Sequence, residues 1–111
     1  MFVVLWEFEV KPGCEERFER VYGPEGDWAS LFRRDAQYVQ TDLLRDLSKS
    51  GVYLTADYWR SQAAYDGFLA AYQTEYQLLD AANQELTASE HKIGGFEHIE
   101  SRGSSTIASQ E

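Results

Sequence analysis

The stretch Ala36-Gln37-Tyr38-Val39-Gln40-Thr41-Asp42-Leu43-Leu44-Arg45-Asp46, then Leu47-Ser48-Lys49-Ser50-Gly51, then Val52-Tyr53-Leu54-Thr55-Ala56-Asp57-Tyr58-Trp59-Arg60, sits at the centre of the chain. Both outer runs are rich in β-branched and aromatic residues, and a short polar loop ending in glycine joins them. That pattern predicts a β-hairpin. On its N-terminal side, Phe2 to Val10 alternates: Phe2, Val4, Trp6, Phe8 and Val10 share one face, with Val3, Leu5, Glu7 and Glu9 on the other. A period of two predicts a strand, which Lys11-Pro12-Gly13 ends. Cys14, Phe18, Val21 and Tyr22 then recur at helical spacing. Gly23-Pro24-Glu25-Gly26 interrupts this helix, and Asp27 is expected to cap a second short segment carrying Trp28, Leu31 and Phe32 inward.

On the C-terminal side, Ser61 is expected to cap a long helical stretch whose buried stripe is Tyr65, Phe68, Leu69, Tyr72, Tyr76, Leu79, Asn83 and Leu86, with a break near Gln73-Thr74. His91 to Glu100 is expected to be the last strand, with a bulge or close backbone approach at Gly94-Gly95. The order is β-α-β-β-α-β, so the expected fold is α+β and ferredoxin-like. Right-handed crossovers place both helical layers on one face of an antiparallel sheet. Val3, Leu5, Val52, Leu54 and Ala56 fall on the other face, which is too apolar to stay wet. A homodimer through the helix-free sheet face is therefore expected.

Composition narrows the function classes. The chain has 111 residues, the size of one domain, with a net charge of −9 and 14% aromatic residues. An acidic surface without a basic stripe excludes nucleic acid and anionic membranes as expected partners. Cys14 is the single cysteine, so no intrachain disulfide can form, and with two histidines there is no zinc-type ligand cluster. The apolar start has no basic flank and turns acidic at Glu7, so it reads as a strand and not a leader. The expected location is cytoplasmic.

Five stretches resemble the antibiotic biosynthesis monooxygenase family of dimeric α+β barrels: the opening strand into Val10-Lys11-Pro12-Gly13; Gly26-Asp27-Trp28-Ala29-Ser30-Leu31-Phe32; Tyr38 with Thr41 to Asp46; Tyr53 to Ser61 with Ala64, Tyr65 and Phe68; and Glu90 to Phe96. The resemblance covers residues 1–100 as one domain and leaves 101–111 as a polar tail. It implies a dimeric α+β barrel and a pocket between sheet and helices for a planar aromatic of phenol or quinol type. It also implies a cofactor-independent monooxygenase, in which a substrate anion itself passes an electron to oxygen. The same superfamily holds haem-degrading enzymes, isomerases and members without activity. Haem degradation fits poorly, because Trp6 stands where those members carry an asparagine, and Leu69 and Ala70 occupy the region of their histidine. A ligand-binding or accessory protein of the same fold is the alternative, and an isomerase or decarboxylase is a third reading.

The candidate proton acceptors are Asp57 and His98. Asp57 shares a strand face with Tyr53, Thr55 and Trp59, and a carboxylate facing an apolar cavity would have a raised pKa. Its alternative is an ion pair with Arg45 or Arg60. His98 alternates with Phe96, and its alternative is a partly exposed strand histidine. Trp6, Tyr53, Trp59 and Tyr72 are the candidate substrate-binding wall. Trp59 matches, by the resemblance, a pocket tryptophan in several family enzymes, and the tyrosines of the long helix read equally as core.

Overall fold

The computed structural model describes residues 1–100, and the polar tail at 101–111 lies outside the described residues. Its elements are β1 (Phe2–Val10), α1 (Glu15–Tyr22), α2 (Asp27–Phe32), β2 (Tyr38–Arg45), β3 (Val52–Trp59), α3 (Gln62–Ala71), α4 (Gln73–Asn83), a 3-10 turn (Gln84–Leu86) and β4 (Thr87–Glu97). The four strands form one antiparallel sheet in the order β2-β3-β1-β4. The β-α-β-β-α-β order expected from the sequence is the observed one, with each helical crossover split into two short helices.

The β1–β3 register sets the two faces. Phe2 lies opposite Trp59, Val4 opposite Asp57, Trp6 opposite Thr55 and Phe8 opposite Tyr53. This face carries the helices. Phe8 meets Phe18 and Tyr22 of α1 at 5.2 and 4.9 Å between ring centroids, and Trp59 meets Phe32 of α2 and Phe68 of α3 at 5.5 and 5.0 Å. Trp59, Phe18, Phe68 and Leu86 are completely buried there. On the reverse face Val3 and Ala56 are buried by their sheet neighbours, while Leu5, Val52, Leu54 and Tyr58 stay half-buried. Leu44 and Phe96, on the same face, are 53% and 45% exposed.

Local chemistry explains the boundaries. The Ser61 side chain accepts a hydrogen bond from the Ala64 amide at 3.1 Å, the expected N-cap. The long helix breaks at Tyr72, whose backbone leaves the helical region between α3 and α4. The expected cap at Asp27 is corrected: Gly26 caps α2 and Asp27 is its first residue. A side chain at position 26 would sit 2.3 Å from the Arg20 carbonyl oxygen, so only glycine lets the chain turn back so tightly on α1. The last strand starts at Thr87, not His91, and ends at Glu97. The 3-10 turn buries Leu86, and Thr87 at once pairs with Val10. Thr87-Ala-Ser-Glu lacks apolar alternation because β4 is an edge strand, exposed along most of its length. At Gly94-Gly95 both expected features occur. The register shifts between Leu5 and Trp6, leaving Ile93 as the extra residue, and the Phe2 ring lies 2.6 Å from where a Gly95 side chain would begin.

Two glycines make opposite predictions. Gly67 is exposed within α3 with nothing within 4 Å of an added Cβ. Gly67→Ala is expected to stabilise the fold by roughly 0.5–1 kcal/mol in urea unfolding, through helix propensity. Gly26→Ala is expected to destabilise it in the same assay, because backbone oxygens must move.

Candidate active site

Between the sheet and the helices lies a cavity of about 290 Å³. Its floor is Trp6 and Phe8 of β1, Thr55 and Asp57 of β3, and Glu90 of β4. Its roof is Tyr22 of α1, Trp28 and Phe32 of α2, and Tyr76 and Asp80 of α4. The volume is at the small end of the range for organic ligands. The walls are aromatic, with Trp28 packed edge-on to Tyr76 at 4.8 Å and Trp6 stacked beside Phe8 at 6.1 Å.

Asp57 is a carboxyl group set into the helix-bearing sheet face at the cavity floor. It opens partly to the cavity, yet protein atoms surround its carboxyl on nearly every side. Burial raises its pKa from 3.8 to about 6, and a hydrogen bond from Thr41 Oγ1 at 2.6 Å opposes that rise. The alternative ion pair does not form. Arg45 bonds Glu19 at 2.7 Å instead, and Arg60, just beyond β3, is exposed. Burial pushes Tyr22 up to about 12, with the Trp28 indole N–H opposing, and drives Tyr76 higher still. Both phenols therefore keep their protons and act as donors, while Asp57 is ionised at neutral pH and acts as an acceptor. The Trp28 indole N–H lies beside the Tyr22 hydroxyl but is buried with no acceptor at bonding geometry among the described residues.

At the other side of the cavity, Glu90 has its pKa raised by burial and by the charge of Asp80. Among the described residues no Lys, Arg or His lines the cavity. Among the described residues no group of three or more His, Cys, Asp or Glu is placed to hold a metal ion.

The structure brings together only some of the residues singled out in the sequence. Asp57 and Trp6 line the cavity. Tyr53 does not: its hydroxyl donates to Glu19 Oε2 at 2.5 Å, next to the Arg45 bond. Trp59 is fully buried among Phe32, Tyr38, Tyr65 and Phe68, outside the cavity wall. Tyr72 stacks on Phe68 at 5.0 Å, one helical turn before the lining Tyr76. His98 is exposed, and its ring packs against Tyr58, which points to the helix-free side. It is thus across the sheet from Asp57. The lining residues not singled out as site residues are Tyr22, Trp28 and Phe32, together with Phe8, Thr55, Tyr76, Asp80 and Glu90. The first three sit in helical apolar patterns that look like any core.

A family model described as antibiotic biosynthesis monooxygenase matches residues 1–79. Among solved structures, SnoaB, a cofactor-independent oxygenase from Streptomyces nogalater (N63A mutant), superposes with a TM-score of 0.72 at 24% identity, covering 90% of this chain and 94% of that one. PA3566 from Pseudomonas aeruginosa gives 0.62 at 19% identity over 89% and 94% of the two chains. A conserved protein from Methanosarcina mazei gives 0.65 at 13% identity over 88% and 92%. These likenesses are likenesses of fold. No curated protein matches the sequence.

The buried carboxyl predicts a pH-dependent stability. Folded Asp57 keeps its proton up to about pH 6, whereas the unfolded chain releases it near 3.8. Its contribution is therefore fullest below the lower value and is lost as pH rises through the higher one. Asp57→Asn removes that dependence. In urea unfolding the variant is expected to gain about 2.5 kcal/mol on the parent between roughly pH 4 and roughly pH 8. A constant difference across that range would contradict the buried charge.

Proposed function

Because the chain belongs to the antibiotic biosynthesis monooxygenase family, we propose that its cavity oxidises a small, uncharged aromatic of phenol or quinol type with molecular oxygen, without a bound cofactor. The observation that carries this reading is Asp57: a carboxylate at the cavity floor, without a cationic partner among the described residues, facing aromatic walls and phenols that hold their protons. Asp57 accepts the substrate hydroxyl proton. Neutralising Asp57 while charging the substrate leaves the net charge of the site unchanged, so the deprotonated substrate adds no net charge inside the protein. The hydroxyls of Tyr22 and Tyr76 then serve as donors to the new oxyanion. The anion gives up electrons more readily than its acid. For an aromatic hydroxyl whose keto tautomer holds a ring CH2, one O2 is consumed, one of its oxygen atoms turns that CH2 into a ring carbonyl, and the other leaves as water with the two hydrogens. The substrate supplies every electron.

Charge and size narrow the substrate. Asp57, Asp80 and Glu90 face the cavity with no basic side chain among its lining residues, so a carboxylate- or phosphate-bearing aromatic is repelled. His98, on the other side of the sheet, has no part in this scheme, and Trp59 packs beside the cavity against Phe32, one of its lining residues.

The same reading includes a second copy of the chain on the helix-free face. Leu5, Leu44, Leu54, Tyr58 and Phe96 form an apolar surface there that no helix covers among the described residues. No described helix is long and apolar enough to cross a membrane.

Oxygen uptake with simple hydroquinones and hydroxynaphthalenes tests the chemistry. Uptake above buffer is expected, with kcat/KM falling below about pH 6 as Asp57 is protonated. Asp57→Asn is expected to lower kcat/KM by about 10²-fold or more. Ligand binding without uptake would leave the accessory-protein reading, and turnover under nitrogen would favour an isomerase or decarboxylase. Sedimentation velocity tests the dimer: a two-chain species is expected, and Leu54→Arg is expected to give a folded monomer.

A further inference from the structure

We propose that Thr41 is a positioning residue for Asp57, placed behind it by a β-bulge at Val39 and locked by Tyr38, so that one carboxylate oxygen is held back and the other is presented to the cavity. This inference rests on Asp57 being the group that takes the substrate proton.

The argument begins with register. Tyr38 lies opposite Trp59 and Gln40 opposite Tyr58, so β2 spends two residues while β3 spends one, and Val39 is the extra residue. Without it, Tyr38 and Thr41, three residues apart, would point to opposite faces. With it, both turn toward the helices, and Thr41 comes directly opposite Asp57. The Thr41 hydroxyl donates to Asp57 Oδ1 at 2.6 Å. Its one proton is thereby committed, so the 2.7 Å contact between Tyr38 Oη and Thr41 Oγ1 must be a donation from the tyrosine. Tyr38 and Thr41 are 8% and 5% exposed, so water does not compete for either hydroxyl.

The direction of the whole chain follows: Tyr38 donates to Thr41, and Thr41 donates to Asp57. No other hydrogen bond to the Asp57 side chain forms among the described residues. On its β1 side the neighbour is Val4, which offers nothing polar. Tyr65 of α3 and Tyr76 of α4 have their pKa values raised, chiefly by burial and to a lesser degree by the Asp57 charge, and both remain protonated at neutral pH. Glu90 and Asp80 line the cavity beyond. Lys92 of β4 places its ammonium 5.7 Å from the centre of the Tyr65 ring, outside the cavity wall. Thr41 is therefore the one group that fixes which carboxyl oxygen is spent and which is free.

The test needs no substrate. The carboxyl ¹³C signal of Asp57, identified by its loss in Asp57→Asn, is followed against pH in the full chain. The parent midpoint is expected near about 6. Thr41→Val is expected to raise it by about one pH unit, since the donor that favours the charged form is gone. Thr41→Ser is expected to restore it. Tyr38→Phe is expected to raise it less, because Thr41 still donates to Asp57 but loses the donation from Tyr38 that orients and strengthens that bond. A midpoint unmoved or lowered in Thr41→Val overturns the proposal. If that variant does not fold, an unmoved midpoint in Tyr38→Phe overturns it instead. Oxygen uptake is scored separately: absent uptake with these shifts intact removes the catalytic reading and leaves the positioning chain standing.

Discussion

Val4 and Asp57 are paired across the two central strands, which puts a carboxyl group in the middle of a hydrophobic sheet face. Desolvating an ionised carboxylate is expensive unless a cation or several donors accompany it. Here one threonine donor accompanies it, and the rest of the expense appears as a raised pKa. An aspartate kept on these terms at a cavity floor contributes nothing to packing that a leucine would not do better. Its neighbours explain how the fold tolerates it. Aromatic clusters on either side supply cohesion around the cavity: Trp59 with Phe32, Tyr38, Tyr65 and Phe68, and Phe18 with Phe8, Tyr22 and Tyr53.

The cavity itself follows from side-chain length. Thr55 and Asp57 are short and lie at the centre of the floor, while the residues above them, Trp28, Phe32, Tyr22 and Tyr76, are long and rigid. Rings that pack against one another at 4.8 to 6.1 Å hold the helices up and do not descend to fill the space over the short residues. Empty volume and a costly carboxylate thus coincide. In a core selected for stability alone, neither is expected.

Much of this was legible in the sequence, and the remainder was not for identifiable reasons. Period-two alternation in Phe2–Val10, the hairpin loop ending in Gly51 and the Ser61 cap carry their information locally, so the element order follows from them. Asp57 and Trp6 were accessible by the same alternation. Tyr53 and Trp59 share that face, but whether a face residue meets empty space or another ring depends on where the helices sit, and that is a property of packing. Thr41 was hidden by the bulge at Val39, because counting by twos assigns it to the wrong side. The start of β4 was missed because Thr87-Ala-Ser-Glu pairs on one side only and needs no apolar pattern. His98 alternates correctly with Phe96, yet the Ile93 irregularity and the strand end at Glu97 leave it on the far side of the sheet.

Strand β4 has one more consequence. Eleven residues long, it closes the sheet with an outer row of amides and carbonyls that no described strand pairs. Such a border invites further strands and, in time, fibres. Its middle reads Glu90-His91-Lys92, and just beyond it Ile93 breaks the ladder. Charges there make stacking by the rim unfavourable, and the irregularity spoils the straight template that growth would require. Open-ended growth along that rim is thereby disfavoured, a form of solubility control written into the strand least useful to the core.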